Sequence, residues 1–176
     1  ALDEHAIVSI TDVKGNITYA NDKFCKISGY TMDELLGQNH RILSSEEHSK
    51  EFFADLWDTI SKGKVWNGTI KNLTKSGEAY WVQATIVPLM DEQGKPFQFV
   101  AIRTDISQRV YSEQHLQNAL ELNEIIISSS PIGIAIFKES GECLAVNQSL
   151  AEQIGATRDQ VLSQNYHEID SWKDSG

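Results

Sequence analysis

The sequence predicts an α+β fold in which one antiparallel sheet carries short helices on one face. β-rich runs occur as a pair near the start of the chain and as a group of three further on, with Gly-containing turns between them. Short amphipathic stretches that begin at helix-capping residues lie between the two groups. Because strands and helices are segregated along the chain rather than alternating, the sheet is expected to be antiparallel, with the helices gathered on one side.

The first pair of strands is predicted to form a hairpin. The runs AIVSITD (6–12) and ITYA (17–20) are rich in β-branched residues, and VKGN separates them with Gly15 at the turn. Asn21 follows the second run and is a favourable N-cap residue. A short helix is therefore expected to begin there.

Two more helix starts are indicated by capping-box spacing. Thr31 and Glu34 open TMDELLG, which ends at Gly37, and predict one short helix. Ser44 and Glu47 have the same spacing and predict the start of the next, longer helix.

The longer helix is expected to be amphipathic through SKEFFADLWDTISKG (49–63). Phe52, Leu56 and Ile60 form one row at helical spacing. Phe53 and Trp57 form the adjacent row. The helix should therefore bury one apolar face and end before the glycine at its C-terminus.

Three consecutive antiparallel strands are predicted next. They correspond to KVWNGTIKNLT (64–74), EAYWVQATIVPLM (78–90) and PFQFVAIRTDI (96–106), separated by KSG and DEQGK. Strand periodicity puts Asn72 on the same face as Ile70. If that face is buried, the amide needs a polar partner, because an unpaired buried amide is costly.

A helix is predicted between about residues 108 and 129, since neither Gly nor Pro interrupts it. Leu116, Leu120, Asn123 and Ile127 fit a/d heptad spacing over roughly two heptads. This stripe could pack on the preceding sheet as a connector. It could equally form a short parallel coiled coil that makes the protein a homodimer.

The chain repeats itself at an offset of 126 residues, from which a second copy of the first domain is inferred. The expected organisation is a complete domain at 1–107, a linker helix at 108–129 and the N-terminal part of a second domain at 130–176. The matching pairs are Ile10/Ile136, Gly15/Gly141, Asn21/Asn147, Gly29/Gly155, Asp33/Asp159, Leu36/Leu162, Gln38/Gln164 and Asn39/Asn165.

Composition excludes several classes of function. A formal net charge of −10 without a dense Lys/Arg cluster argues against a nucleic-acid partner. Apolar runs of about five residues are far shorter than the roughly 20 that span a bilayer, so no direct membrane contact is expected. Cys25 and Cys143 are far apart and outside any metal-ligand spacing, which fits reduced thiols, a cytoplasmic location and no metal site. No catalytic motif is present, so the fragment is not expected to be an enzyme.

Two stretches resemble the PAS domain family. ITDVKGNITYANDKFCKISGYTMDELLGQNHRIL is similar to the first half of a PAS domain, and KNLTKSGEAYWVQATIVPLMDEQGKPFQFVAIRTDIS to its last strands and its exit into a signalling helix. The resemblance covers about residues 1–107 and partly recurs in 130–176. It implies a five-stranded antiparallel sheet whose short helices enclose a cavity for a sensed ligand.

Within this family, the light-sensing flavin domains carry a cysteine in an NCRFL-like segment. The corresponding segment here is NHRIL, with His40 in the position of the cysteine. Cys25 lies in a different predicted helix. The resemblance therefore excludes a photochemical cysteine adduct at this position.

The chain is more similar to the redox-sensing FAD domains of the bacterial aerotaxis receptor, the nitrogen-fixation regulator and the methane-monooxygenase sensor kinase. It shares with them Trp57, the WNG at Trp66 and Asn72 ahead of TKSGEAYW. The resemblance implies that Asn72 hydrogen-bonds the polar edge of the isoalloxazine, that Trp57 packs beside the FAD, and that His40 faces the ring or its ribityl chain.

Other positions complete the expected FAD site. The further contacts are Trp66, Asn39, Leu43 and Ser44. His40 is expected to respond to flavin reduction, because histidine titrates near physiological pH. Relatives commonly carry Arg in place of Leu73 or Thr74, so an outer salt bridge is not expected here.

The resulting functional hypothesis is a cytoplasmic sensory input module that reads redox state or oxygen through non-covalent FAD. It would act as a homodimer and signal through its C-terminal helix to an output domain, such as a histidine kinase, a cyclic-di-GMP enzyme such as a diguanylate cyclase, or a chemoreceptor. Two alternatives remain open. One is a haem-based gas sensor with His48 as axial ligand, and the other is a cofactor-free dimerisation module.

Overall fold

The computed structural model describes residues 6–168, and the chain divides into two compact units, Ala1–Ser112 and Glu113–Gly176. Residues 1–5 of the predicted first domain and 169–176 of the predicted second domain lie outside the described residues. No helix among residues 6–168 is both long enough and apolar enough to traverse a bilayer.

The first unit is built on a five-stranded antiparallel sheet, which confirms the predicted fold class. Its strand order is β2-β1-β5-β4-β3, so the last strand pairs with the first in the middle of the sheet. The strands are β1 (Ile7–Asp12), β2 (Ile17–Ala20), β3 (Trp66–Leu73), β4 (Ala79–Met90) and β5 (Pro96–Asp105).

Alternating burial along the strands creates one inner face of the sheet. In β4 every second side chain is buried, beginning at Tyr80, and in β5 Phe99, Ala101 and Arg103 share the buried face. In β3 both Ile70 and Asn72 are buried, as strand periodicity predicts. The inner face therefore combines a largely apolar core with a few buried polar groups.

Short helices connect the two groups of strands and cover the inner face. Asn21 caps the first of them by accepting a hydrogen bond from the Phe24 amide (3.0 Å), and Thr31 and Glu34 form the predicted capping box of the second. These elements are α1 (Asp22–Ser28), α2 (Met32–Leu35), a 3-10 helix (His40–Leu43) and α3 (Lys50–Ser61).

The predicted start of the longest of these helices at Ser44 is wrong. Ser44 instead ends the 3-10 helix, and Ser49 caps α3 by accepting a hydrogen bond from the Phe52 amide (3.2 Å). Glu46 has a φ of +60°, a left-handed conformation that a right-handed helix cannot contain. The chain turns at this residue, so the capping-box spacing of Ser44 does not mark a helix.

Helix α4 (Ser107–Ser129) matches the predicted linker helix in its bounds, but none of its residues is buried. Leu116 and Leu120 are 63% and 57% exposed. Both interpretations of the stripe, packing on the preceding sheet and a coiled coil, stay predictions.

The described part of the second unit begins in the same order as the first. It contains β6 (Ala135–Phe137), β7 (Cys143–Val146), α5 (Gln148–Ile154), α6 (Arg158–Leu162) and a 3-10 helix (Tyr166–Glu168). Asn147 caps α5 as Asn21 caps α1, and Gly155 and Gly29 end these helices with left-handed conformations. Residues 126 positions apart thus have equivalent local structures.

Candidate functional site

A cavity of about 360 Å³ lies between the inner face of the first sheet and the elements that cover it. Its size falls within the roughly 300–1,000 Å³ typical of small-molecule sites. The apolar part of the lining is formed by Phe53, Leu56, Trp57, Ile60, Ile70, Ile86, Phe99 and Ala101. Gly15 and the polar residues Thr11, Asn39, His40, Arg41, Ser44, Asn72 and Arg103 complete it.

Trp57 forms one wall of the cavity. It projects from α3, and its indole packs edge-on against Phe99 with the ring centroids 5.8 Å apart. A Cβ atom on Gly15 would lie 3.0 Å from the indole, so the turn after β1 approaches the ring closely. The hairpin turn and the sheet together hold a flat aromatic surface at the cavity.

Asn72 lines the cavity, and Tyr80 lies behind the lining on the neighbouring strand. They occupy opposed positions of β3 and β4, and Asn72 is only 5% exposed. Burial raises the pKa of Tyr80 to about 12, although the nearby Arg103 and Asn72 oppose this shift. The hydroxyl of Tyr80 has no hydrogen-bond partner within residues 6–168.

A second polar group joins β1, the 3-10 helix and β5. Arg103 donates from Nη1 to Ser9 Oγ (2.9 Å), and its Nη2 lies 2.8 Å from His40 Nε2. The guanidinium also lies over the Phe24 ring, 5.8 Å from its centroid, and the same ring stacks on His40. His40 is therefore held by a cation on one side and an aromatic face on the other.

The expectation that His40 titrates near physiological pH is wrong for this arrangement. Although part of the ring faces the cavity, burial among protein atoms, together with the charge of Arg103, lowers the pKa of His40 to about 3. The imidazole is therefore neutral at pH 7. Because the Arg103 guanidinium has only N–H donors and no acceptor, His40 Nε2 must accept this hydrogen bond, and the proton of the neutral ring lies on Nδ1.

The structure brings five of the seven predicted cofactor contacts to the cavity, namely Asn39, His40, Ser44, Trp57 and Asn72. Their contact with a cofactor remains a prediction.

Leu43 and Trp66 are not among the residues that line this cavity, and their contact with a cofactor stays a prediction. Leu43 is fully buried in the core. Trp66 packs edge-on against Phe52, with centroids 5.5 Å apart, and its ring covers Gly68. The WNG motif therefore has a packing role here, because a side chain at the glycine would collide with the indole.

Arg103 is the cavity residue that the sequence reasoning missed. A charged residue near the end of a strand usually indicates an exposed position. The available signal was its spacing from Phe99 and Ala101, which places all three on one strand face.

His48, the proposed axial ligand of the haem alternative, points elsewhere. Its Nε2 accepts a hydrogen bond from the Lys71 amide (2.9 Å), and its ring stacks on Phe52. It does not line the cavity, so this residue does not fit a haem there. No cysteine is found among the described residues that line the cavity.

Comparison with known proteins identifies the family. The sequence model of the PAS domain family matches residues 4–108, which is more than half of the chain. The chain belongs to the PAS domain family. The predicted five-stranded PAS fold is thus confirmed in both sequence and structure.

Known relatives include regulatory and receptor proteins. The aerotaxis receptor of Escherichia coli is 44% identical over 58% of this chain, and the nitrogen fixation regulatory protein of Klebsiella pneumoniae is 33% identical over 80%. The matches cover only 20% and 28% of those relatives. The predicted similarity to these two proteins is confirmed, and the PAS domain is of a kind found in signal-transduction proteins.

Solved structures include a light-oxygen-voltage domain described with a flavin analogue. It has a TM-score of 0.55 and 26% identity to this chain, covering 67% of this chain and 87% of the other.

Proposed function

We propose that the PAS domain binds FAD non-covalently in this cavity and reports redox state or oxygen through its C-terminal helix. The observation that carries the proposal is the cavity itself, where an apolar slot beside Trp57 meets buried polar groups at Asn72 and Arg103. The similarity to the aerotaxis receptor supports the choice of ligand.

The residues present fit the chemistry of a flavin ring. An isoalloxazine needs a flat apolar slot and a few donors and acceptors at its pyrimidine edge, and the amide of Asn72 offers one of each. Arg103 lines the cavity, and its buried Nε has no hydrogen-bond partner in the described chain. A polar ligand edge would supply the partner that this atom lacks.

A short covalent and hydrogen-bonded route joins the site to α4. Tyr80 lies opposite Asn72 on the neighbouring strand, and the next residue, Trp81, donates its amide N–H to Ser107 Oγ (2.8 Å). The Ile106 amide donates in turn to the Trp81 carbonyl (2.9 Å), and the Tyr111 hydroxyl donates to the Ala79 carbonyl (2.8 Å). A shift of β4 would therefore change the start of the helix.

The remaining parts of the proposal concern the whole protein. We expect a cytoplasmic homodimer that associates through the PAS domain and α4, with an output domain that the helix controls. If the oxidised and reduced flavins differ by a few kcal/mol in how strongly they favour one of two protein conformations, that difference is enough to switch the output.

Absorption spectroscopy of the purified protein tests the proposal. We expect flavin absorption bands at about 450 nm that bleach with dithionite. The Asn72→Ala variant should lose the bound flavin, because it removes a buried donor and acceptor. Asn67→Ala is the matched control, since Asn67 lies on the exposed side of the same strand and its side chain accepts a hydrogen bond from the Thr85 hydroxyl. A folded, colourless protein that cannot be reconstituted with FAD would support the cofactor-free module instead.

A further inference from the structure

Arg103 carries a positive charge into the interior of the PAS domain without a carboxylate beside it. The side chain is only 4% exposed, and its two terminal nitrogens contact neutral groups, the Ser9 hydroxyl and the neutral His40 ring. None of the ion pairs between described residues includes it. The described lining of the cavity also contains no acidic side chain.

Such an arrangement is costly for the protein alone. Buried charges are normally paired, because removing an ion from water costs several kcal/mol. Burial lowers the pKa of Arg103 to about 10, which still leaves the guanidinium protonated at neutral pH. Its Nε has no hydrogen-bond partner among residues 6–168. The cavity wall therefore presents a fixed positive charge with an unused donor.

We propose that Arg103 stabilises the negative charge of a reduced isoalloxazine ring in this cavity and thereby raises its reduction potential. The inference rests on the proposed function, because it requires a bound flavin. A two-electron donor, which is dithionite in the test below, supplies two electrons to the neutral oxidised ring, and N5 takes up one proton. The product carries one net negative charge, whereas the oxidised ring carries none, so the attraction to Arg103 is present only after reduction.

The neutral state of His40 strengthens this assignment. With His40 acting as an acceptor for Arg103, the pair presents one net positive charge to the cavity rather than two or none. The stack of Phe24 on His40 keeps water from one side of the pair. The attraction between Arg103 and a negative charge on a ligand would thus act in a medium of low dielectric constant, where Coulomb interactions are stronger.

A phosphate of the dinucleotide is the other anion that could pair with Arg103. Phosphate is charged in both redox states and strongly hydrated, which suits the exposed Arg41 at the cavity better than a 4%-exposed side chain. We therefore assign Arg103 to the ring. Riboflavin, which has no phosphate, separates the two sources in the test.

The test measures the midpoint potential of flavin bound to the wild-type protein, Arg103→Gln and Arg103→Lys by anaerobic titration against a reference dye. We expect Arg103→Gln to lower the ratio of reduced to oxidised flavin affinity at least tenfold, a shift of about 30 mV for two electrons. Arg103→Lys keeps the charge and should recover most of this difference. Arg158→Gln is the matched control, because it removes the same group from the second unit.

A wild-type midpoint potential below that of free FAD would overturn the inference, as would equal potentials in Arg103→Gln and Arg158→Gln. If Arg103→Gln does not retain flavin, the midpoint potentials of the wild type and of Arg103→Lys, each compared with that of free FAD, still test the inference. Weaker binding of FAD but not of riboflavin, with an unchanged potential, would assign Arg103 to phosphate. These outcomes leave the proposed function intact, whereas a wild-type protein that binds no flavin would overturn both.

Discussion

Asn72 and Tyr80 face each other across β3 and β4 at the end of the sheet where the chain leaves for α4. Both are buried, and the Tyr80 hydroxyl has no partner in the described chain. One residue further along β4, the Trp81 backbone bonds both Ser107 and Ile106. The backbone of β4 thus links the position opposite Asn72 to the start of α4.

Tyr80→Phe should stabilise the protein in the absence of flavin. Because the variant removes a buried hydroxyl that has no partner, we expect the free energy of unfolding to rise by up to about 1 kcal/mol. Tyr111→Phe is the control, since its exposed hydroxyl bonds the Ala79 carbonyl and its loss should cost about 0.5–1 kcal/mol. Urea titrations of both variants give the comparison, and a loss of stability in Tyr80→Phe would contradict the first expectation.

Gly15→Ala should weaken the cavity wall as well as the fold. Gly15 has a φ of +82°, and its new Cβ atom would lie 3.0 Å from the Trp57 indole. Gly94→Ala has a similar backbone cost, with a φ of +74°, but nothing lies within 4 Å of its Cβ atom. In both variants we expect the free energy of unfolding to fall by about 1–2 kcal/mol, because alanine is strained in the left-handed conformation. Flavin binding should weaken in Gly15→Ala alone. Thermal unfolding and flavin titration separate the two effects.

Leu116→Glu should weaken self-association if α4 forms the predicted coiled coil. A charge at an a/d position faces the partner helix, where it loses water without gaining a counter-ion. Leu122 is 58% exposed and lies outside the a/d stripe, so Leu122→Glu adds the same charge away from the seam. Sedimentation equilibrium should show at least a tenfold weaker dimer for Leu116→Glu, and equal effects of both changes would exclude this seam.

Local patterns predicted the elements of the first domain because local chemistry determines them. Asn21 and Thr31 cap helices through contacts within three residues, and strand alternation reveals the buried face of Asn72. The start of α3 was mispredicted, because a left-handed Glu46 overrides a favourable capping pattern.

The composition of the cavity depended on distant contacts that local patterns do not contain. Arg103 and Ser9 are 94 residues apart in the chain, and only strand pairing between β1 and β5 brings them together. The packing of Trp66 on Phe52 likewise depends on how α3 crosses the sheet. A motif match therefore indicates which residues recur in a family, while the tertiary structure decides which of them reach the cavity.

His40 should make the stability of the flavin-free protein depend on pH. Its pKa is about 3 in the folded protein and 6.5 in the unfolded chain, so the unfolded state binds more protons between these values. Stability is therefore greatest above pH 6.5 and falls as the pH is lowered towards 3. Between pH 7.5 and 5.5 the expected loss from this residue is about 1.4 kcal/mol.

His40→Gln should remove this part of the pH dependence, because glutamine keeps an acceptor for Arg103 but does not titrate. His48 contributes in the same direction, since burial lowers its pKa as well, so a smaller slope remains in the variant. His115→Gln makes the same substitution on the exposed α4 and is the control for replacing a histidine. Urea titrations at several pH values test this, and a His40→Gln slope equal to that of the wild type would show that the folded protein does not hold His40 neutral.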